Sequence, residues 1–172
     1  MTNKLFILCG IPFSGKSTLA RKMVEKLGFV RIDLDEVKIS IFGDKILDSQ
    51  IDQFGWDKIY QDMYRKIKSA LVEGKTVVND TGNFTHAERG VVAKIAQDLG
   101  LPVTTIFVDI PVEVAHQRIL DNRNSQKRFD VSDLDFRSTV AEMEKPSNDE
   151  NHLSFNYLES IDSWIEKHLI HS

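Results

Sequence analysis

The stretch Cys9-Gly10-Ile11-Pro12-Phe13-Ser14-Gly15-Lys16-Ser17-Thr18 follows directly on the apolar run Leu5-Phe6-Ile7-Leu8. Within it, Gly10-x-x-x-x-Gly15-Lys16-Ser17 has the complete spacing of a phosphate-binding loop. The glycines let the backbone curl so that its N–H groups face phosphate oxygens, and the helix expected next presents its positive N-terminal end to the same charge. Lys16 is placed to reach the β- and γ-phosphates, and the Ser17 hydroxyl is a ligand for Mg²⁺. Residues Gly10 through Thr18 are therefore expected to hold ATP.

A phosphate so held needs a recipient. In "FVRIDLDEVK", Asp33 and Asp35 stand where the second apolar run ends, with Lys38 about one helical turn on. Phosphoryl transfer is mostly positioning and charge stabilisation, helped by a carboxylate that orients the acceptor hydroxyl and takes its proton. Asp35 suits that task, and Lys38 would neutralise charge on the acceptor or on the transferring group. By spacing alone both aspartates also suit capping the next helix, and for Asp33 capping is the stronger reading. Asp80 ends the third apolar run, before Thr81-Gly82-Asn83. There it would support Mg²⁺ or orient the acceptor, or simply form an Asx turn. Asp109 is the second choice for the metal carboxylate, because Ile110-Pro111 reads as a helix entry.

"RILDNRNSQKRFD" gathers Arg118, Arg123, Lys127 and Arg128. A flexible lid there would bring arginines over the phosphates, where their charge is most useful in the transition state. A solvated charge run is the plainer alternative.

These residues need elements to position them. Five short apolar runs read as strands, at 4–9, 29–33, 76–80, 103–109 and, more weakly, 152–157. Helical patterns separate them. One spans 17–27 and stops at Gly28; another spans 56–72 with Ile59, Met63, Ile67 and Leu71 on one face. Thr85-x-x-Glu88 opens a third as a capping box, and Gly100 and Pro102 end it. Further helices are expected from 112 to about 121, over 133–144 and over 160–170. Strands alternating with helices imply a parallel sheet covered on both faces. Right-handed crossovers then put ligands at the carboxyl ends of the strands, where every motif above lies. Trp164 fits the core face of the last helix; Trp56 and Tyr60 read as core in preference to lining an acceptor pocket. The five histidines lack metal-ligand spacing, so no zinc site is expected.

The 172 residues suit a single domain spanning 1–172. A net charge of −4 argues against a broad nucleic-acid surface, though not against a strand end entering a small basic pocket. Cys9 is the only cysteine, so no intrachain disulfide forms, which suits a reducing compartment. With no run near the ~18 apolar residues of a membrane span, a cytoplasmic protein is expected. A GTPase switch is disfavoured: Asn3-Lys4 continues as Leu5-Phe6 instead of completing a guanine-reading Asn-Lys-x-Asp, and no strand precedes Asp52-x-x-Gly55.

The loop Gly10–Thr18, then Asp35, then "VVNDTGNFTHAER" resembles the P-loop kinases related to polynucleotide 5′-kinase and chloramphenicol phosphotransferase. The resemblance is strongest to their AAA-type ATP-binding relatives and predicted kinases, and it extends over nearly the whole chain. It implies an α/β P-loop NTPase fold, a three-layer sandwich with a five-stranded parallel sheet. That fold is nucleoside-monophosphate-kinase-like, with a helical lid at about 118–145. It further implies Asp35 as the acceptor's general base and Asp80 as a metal or acceptor carboxylate. Arg118 matches the lid arginine of polynucleotide kinase, and Arg123 and Arg128 match less specifically. Lys38 stands where polynucleotide kinase has an arginine; lysine keeps the charge and loses the bidentate fork. "MEKPSNDE" is similar to a Glu-x-Pro-x-x-x-Glu-like segment of the same relatives, with no chemistry attached to it.

The expectation is thus an ATP- and Mg²⁺-dependent kinase acting on a small-molecule hydroxyl. Lys16, Asp35, Arg118 and Arg123 are its catalytic residues, Ser17 and Asp80 its metal ligands, and Asp33, Lys38 and Asp80 face the acceptor. A polynucleotide 5′-hydroxyl kinase is the alternative. A nucleotide-binding regulatory ATPase acting through a partner is a third reading, and it has no need of an acceptor base at Asp35.

Overall fold

A computed structural model describes residues 3–126 and 129–170. Its elements run β1 (Leu5–Cys9), α1 (Lys16–Leu27), β2 (Val30–Asp33), α2 (Leu34–Phe42), α3 (Gln53–Val72), β3 (Val77–Asp80), α4 (His86–Gln97), β4 (Val103–Asp109), α5 (Val112–Ser125), α6 (Asp133–Glu142), β5 (His152–Asn156) and α7 (Ile161–Ile165). A 3₁₀ turn (Asp48–Gln50) precedes α3, and a π turn (Glu166–Ile170) extends α7.

All the strand pairings are parallel, in the order β2-β3-β1-β4-β5. The central strand β1 has Leu5 opposite both Val77 and Val103. Its side chains are buried at every position, which is why it reads as an unbroken apolar run and not an alternating one. Phe6 and Leu8 pack with Leu19 and Met23 of α1 and Trp164 of α7. On the opposite face, Leu5 and Ile7 meet Ile59, Met63 and Ile67 of α3 and Val92 of α4. Helices on both sides of one sheet make the three-layer α/β sandwich that the alternation predicts. A third cluster, with Ile11, Phe13, Ile110, Ile119 and Phe136, fastens α5 and α6 to the loop after β1.

Local chemistry sets the boundaries. The Thr85–Glu88 capping box forms with both of its hydrogen bonds, at 3.1 and 3.0 Å. Helix α3 begins three residues earlier than its apolar spacing suggests, because the Asp52 carboxylate caps it by accepting from the Gly55 N–H at 2.8 Å. Helix α6 stops at Glu142, short of the expected 144, and the last helix is α only to Ile165. Trp164 is fully buried and donates its indole N–H to the Ser154 carbonyl at 2.9 Å. Trp56 is half-buried, and Tyr60 is more exposed than a core residue. Among the described residues no helix is long and apolar enough to cross a membrane.

Candidate functional site

The loop between β1 and α1 is held in a conformation few residues tolerate. Gly10, Phe13 and Gly15 have φ of 147°, 61° and 110°. A Cβ at Gly10 would fall 2.9 Å from the Val108 carbonyl oxygen and 3.1 Å from Ser14 Oγ, so only glycine fits. Phe13 accepts a left-handed backbone, at a cost of roughly 1 kcal/mol, while its ring is buried in the third apolar cluster. The Lys16 ammonium is drawn across the loop, donating to the carbonyls of Gly10 and Ile11 at 2.7 and 2.9 Å. Ser14 Oγ is fully buried and has no hydrogen-bond partner among the described residues. A buried hydroxyl left unpaired costs about 1–3 kcal/mol, and here it sits in the middle of a backbone cradle.

From this loop a chain of polar contacts crosses the sheet edge. Ser17 Oγ donates to Asp80 Oδ1 at 3.3 Å, and Asp80 Oδ2 accepts from Arg31 Nε at 2.7 Å. Arg31 also pairs with Asp33 and, at 2.6 Å, with Glu36. Register brings this about: Asp33 and Asp80 are direct partners at the carboxyl ends of β2 and β3. Burial pushes the Asp80 carboxyl above the usual carboxylate range, opposed by the Arg31 charge and the Ser17 hydroxyl. Asp33 is also the N-cap of α2, accepting from the Glu36 N–H at 3.0 Å, as its position before a helix suggests.

Helix α2 carries the other two acceptor-side candidates. Asp35 lies in its first turn with a largely exposed side chain, and its Oδ1 is 3.5 Å from Lys38 Nζ. Lys38 is buried, and its ammonium bonds Asp48 Oδ1 at 2.7 Å. Burial works against that charge, but the hydrogen bond to Asp48 and the nearby Asp35 outweigh it and hold the ammonium above its ordinary range.

The two arginines of α5 separate. Arg118 donates to the carbonyls of Phe13 and Ser14, both at 3.1 Å, so it rests on the phosphate loop itself. Beside it a cavity of about 360 Å³ opens between Gly15, Thr18 and Tyr157. Arg123 is engaged with the stretch before α6 and its first residue, with Asp130 at 3.1 Å, Asp133 at 2.8 Å and the Val131 carbonyl at 2.9 Å. Lys127 and Arg128 lie outside the described residues. Asp109 lines a different cavity, of about 400 Å³, with Phe107, Lys145 and Asn156; it is Asp80 that is hydrogen-bonded to Ser17.

Two arginines carry connections that reading the sequence missed. Arg31 gives no local signal, being one charge inside a short strand. Arg89, only 1% exposed, makes a two-nitrogen pair with Glu150, both contacts at 2.7 Å. It also donates to the carbonyls of Asn83, Phe84 and Glu144 at 3.1, 3.2 and 2.9 Å. That pair supplies the chemistry missing from "MEKPSNDE": its final glutamate ties the segment after α6 to the turn after β3.

A glycine loop between the central strand of a parallel sheet and a helix, with an arginine of α5 laid over it, defines a P-loop kinase domain. Residues 5–146 match the family model described as AAA domain, and the chain belongs to that family. A shikimate kinase of Persephonella marina is 29% identical over 111 residues, 64% of this chain and 64% of that protein. The bifunctional polynucleotide phosphatase/kinase of Schizosaccharomyces pombe is 24% identical over 147 residues, 86% of this chain but only 31% of that longer protein. Among solved structures, Chaetomium thermophilum Kti12 in complex with ADP-AlF₃ superposes with a TM-score of 0.73 at 18% identity, over 95% of this chain and 96% of that one.

Proposed function

We propose that the protein uses ATP and Mg²⁺ to phosphorylate a hydroxyl on a small molecule. The observation that carries this reading is the unbroken polar path Ser17–Asp80–Arg31–Asp33, which runs from the phosphate loop into the helix that presents Asp35. A regulator that only senses nucleotide has no use for an exposed carboxylate at the end of such a path.

The loop residues fit a polyphosphate: the cradle admits no Cβ at Gly10, and the unpaired Ser14 hydroxyl awaits an acceptor. Lys16 exchanges its hold on two loop carbonyls for phosphate oxygens. The cavity beside Arg118 and Tyr157 takes the adenine, a flat apolar group suited to that volume. Ser17 and Asp80 are hard oxygen donors on one edge and would hold Mg²⁺, which when bound neutralises charge on the β- and γ-phosphate oxygens. Asp33, Lys38 and Asp80 border the space for the acceptor. Asp35 takes the proton from the acceptor hydroxyl as its oxygen bonds to the γ-phosphorus. The bond from that phosphorus to the bridging oxygen breaks, and ADP leaves with the electron pair. Arg118 supplies positive charge over the transferring group; Arg123 joins it only on release from Asp130 and Asp133.

The test is ADP release with Mg²⁺-ATP, alone and with a panel of hydroxyl acceptors that includes a 5′-hydroxyl oligonucleotide. Stimulation by one compound, lost in Asp35→Asn while ATP binding persists, is the expected result. Slow release that neither an acceptor nor Asp35→Asn alters would favour the regulatory ATPase.

A further inference from the structure

We propose that the acceptor is an alcohol with an apolar body and no anionic group beside its reacting hydroxyl, and that Lys38, clamped by Asp35 and Asp48, sets this preference. The inference rests on the kinase reading above and names the substrate class of the same site.

A site that recognises a phosphate or carboxylate keeps cations free to pair with it, most often an arginine fork. Among the described residues, Arg31 and Lys38, the cations that contact the carboxylates at the start of α2, are held by pairs within the protein. Arg31 faces Asp33, Glu36 and Asp80. Lys38 faces Asp35 at 3.5 Å and Asp48 at 2.7 Å. Segment 31–58, which carries both, contains seven carboxylates against four cations. An anionic acceptor would have to break the Lys38–Asp48 pair and would then meet unbalanced negative charge, the kind of like-charge contact by which surfaces reject partners. A neutral or amine-bearing alcohol meets neither obstacle.

A second observation, independent of charge, concerns the surroundings of Lys38. Phe42 lies one turn further along the same face of α2 and is 40% exposed. Leu47, 58% exposed, adjoins Asp48, and the ring of Phe129, reaching over from the lid, is 5.5 Å from Lys38 Nζ. Bulky apolar side chains gathered in the open around a buried lysine and its exposed carboxylate partners mark a ligand surface better than a solvated one. They offer the acceptor's body an apolar bed while its hydroxyl turns toward Asp35. The Lys38 clamp then works as a filter and not as a binding charge.

The experiment offers the full chain, with Mg²⁺ and γ-labelled ATP, a matched set of alcohols on one aromatic frame. One is unsubstituted, one bears an amine, one a carboxylate and one a phosphate, and a 5′-hydroxyl oligonucleotide completes the set. Label transferred to each is measured. The expected result is a kcat/KM for the neutral and amine-bearing members at least about tenfold above the anionic ones, a ratio one well-placed charge can set. Asp48→Asn frees the Lys38 charge and should narrow that gap, while Asp57→Asn, elsewhere in the same acidic segment, should not. Phe42→Ser should raise KM for the neutral alcohol and leave ATP affinity unchanged. Preferred labelling of an anionic member or of the oligonucleotide, abolished by Asp35→Asn, overturns the charge filter and leaves the kinase reading standing. Label reaching no acceptor, with ADP release unaffected by Asp35→Asn, overturns the kinase reading and this inference with it.

Discussion

Arg31 Nε lies 2.7 Å from Asp80 Oδ2, joining residues 49 apart in the chain at the edge of the sheet where phosphate would be held. Both groups are largely withdrawn from solvent, with side-chain exposures of 14% and 2%. Removing one member of such a pair costs more than the pair contributes, because the survivor is left buried and unbalanced.

Arg31→Met should therefore lower unfolding free energy by about 3 kcal/mol, the range for a broken buried ion pair. Urea denaturation measures it directly. Asp80→Asn alone should cost less, since the amide oxygen still accepts from Arg31 and its nitrogen can donate to the Ser17 hydroxyl.

Ser14 should behave in opposite ways with and without nucleotide. Its hydroxyl is buried and unpaired, so Ser14→Ala relieves a desolvation penalty and should leave the ligand-free protein as stable or about 1 kcal/mol more so. The same change removes a donor from the cradle. Thermal melts with and without an ATP analogue should show a smaller ligand-induced rise in Tm for the variant.

Arg118 donates to two loop carbonyls from a helix whose own packing is apolar. Arg118→Ala should lower kcat by about 10²–10³, the usual cost of losing one charge-stabilising donor, with little change in Tm. Steady-state rates with any acceptor found active provide the measurement.

The Arg89 hydrogen bonds, together with those from His86 and the Ser147 N–H, hold the Glu150 carboxyl down at about 2, below its ordinary value of 4.5. The carboxylate is thus favoured in the folded state. Its contribution to stability is complete above about pH 4.5 and is lost as pH falls toward 2. Denaturation midpoints across that window should drop for the native protein, and the fall should be shallower for Glu150→Gln, which starts from lower stability.

Burial also pushes the Cys9 thiol up to about 12. A thiol that stays protonated is a poor nucleophile. Iodoacetamide at pH 8 should leave the native protein unlabelled and react promptly once denaturant is added.

What could be read from the residues alone was what is local. The glycine spacing of 10–17, the unbroken apolar β1 and the Thr85–Glu88 box each depend on neighbours within a few positions. Helix α2 was legible only as a helix that Asp33 would cap, without bounds; packing onto α3 determines the rest. Arg31–Asp80 and Arg89–Glu150 were beyond reach, since each joins distant segments that only sheet register or the return of the chain after α6 brings together. The divergence of Arg118 from Arg123 has the same origin. Both lie on α5, but which carbonyl or carboxylate each meets depends on how that helix settles on the loop.

The placement of β1 bears on how the protein comes into being. It is made before β3 and β4, and it lies between them. While a ribosome is still adding residues ahead of β4, the glycine loop is out of the exit tunnel but flanked on one side only. Gly10 depends on the Val108 carbonyl for its close contact, so a nascent chain stalled before that strand carries the full phosphate-loop sequence without its binding shape. Nucleotide would then reward only chains elongated past β4, and its presence during translation should raise the yield of complete domains without rescuing shorter ones.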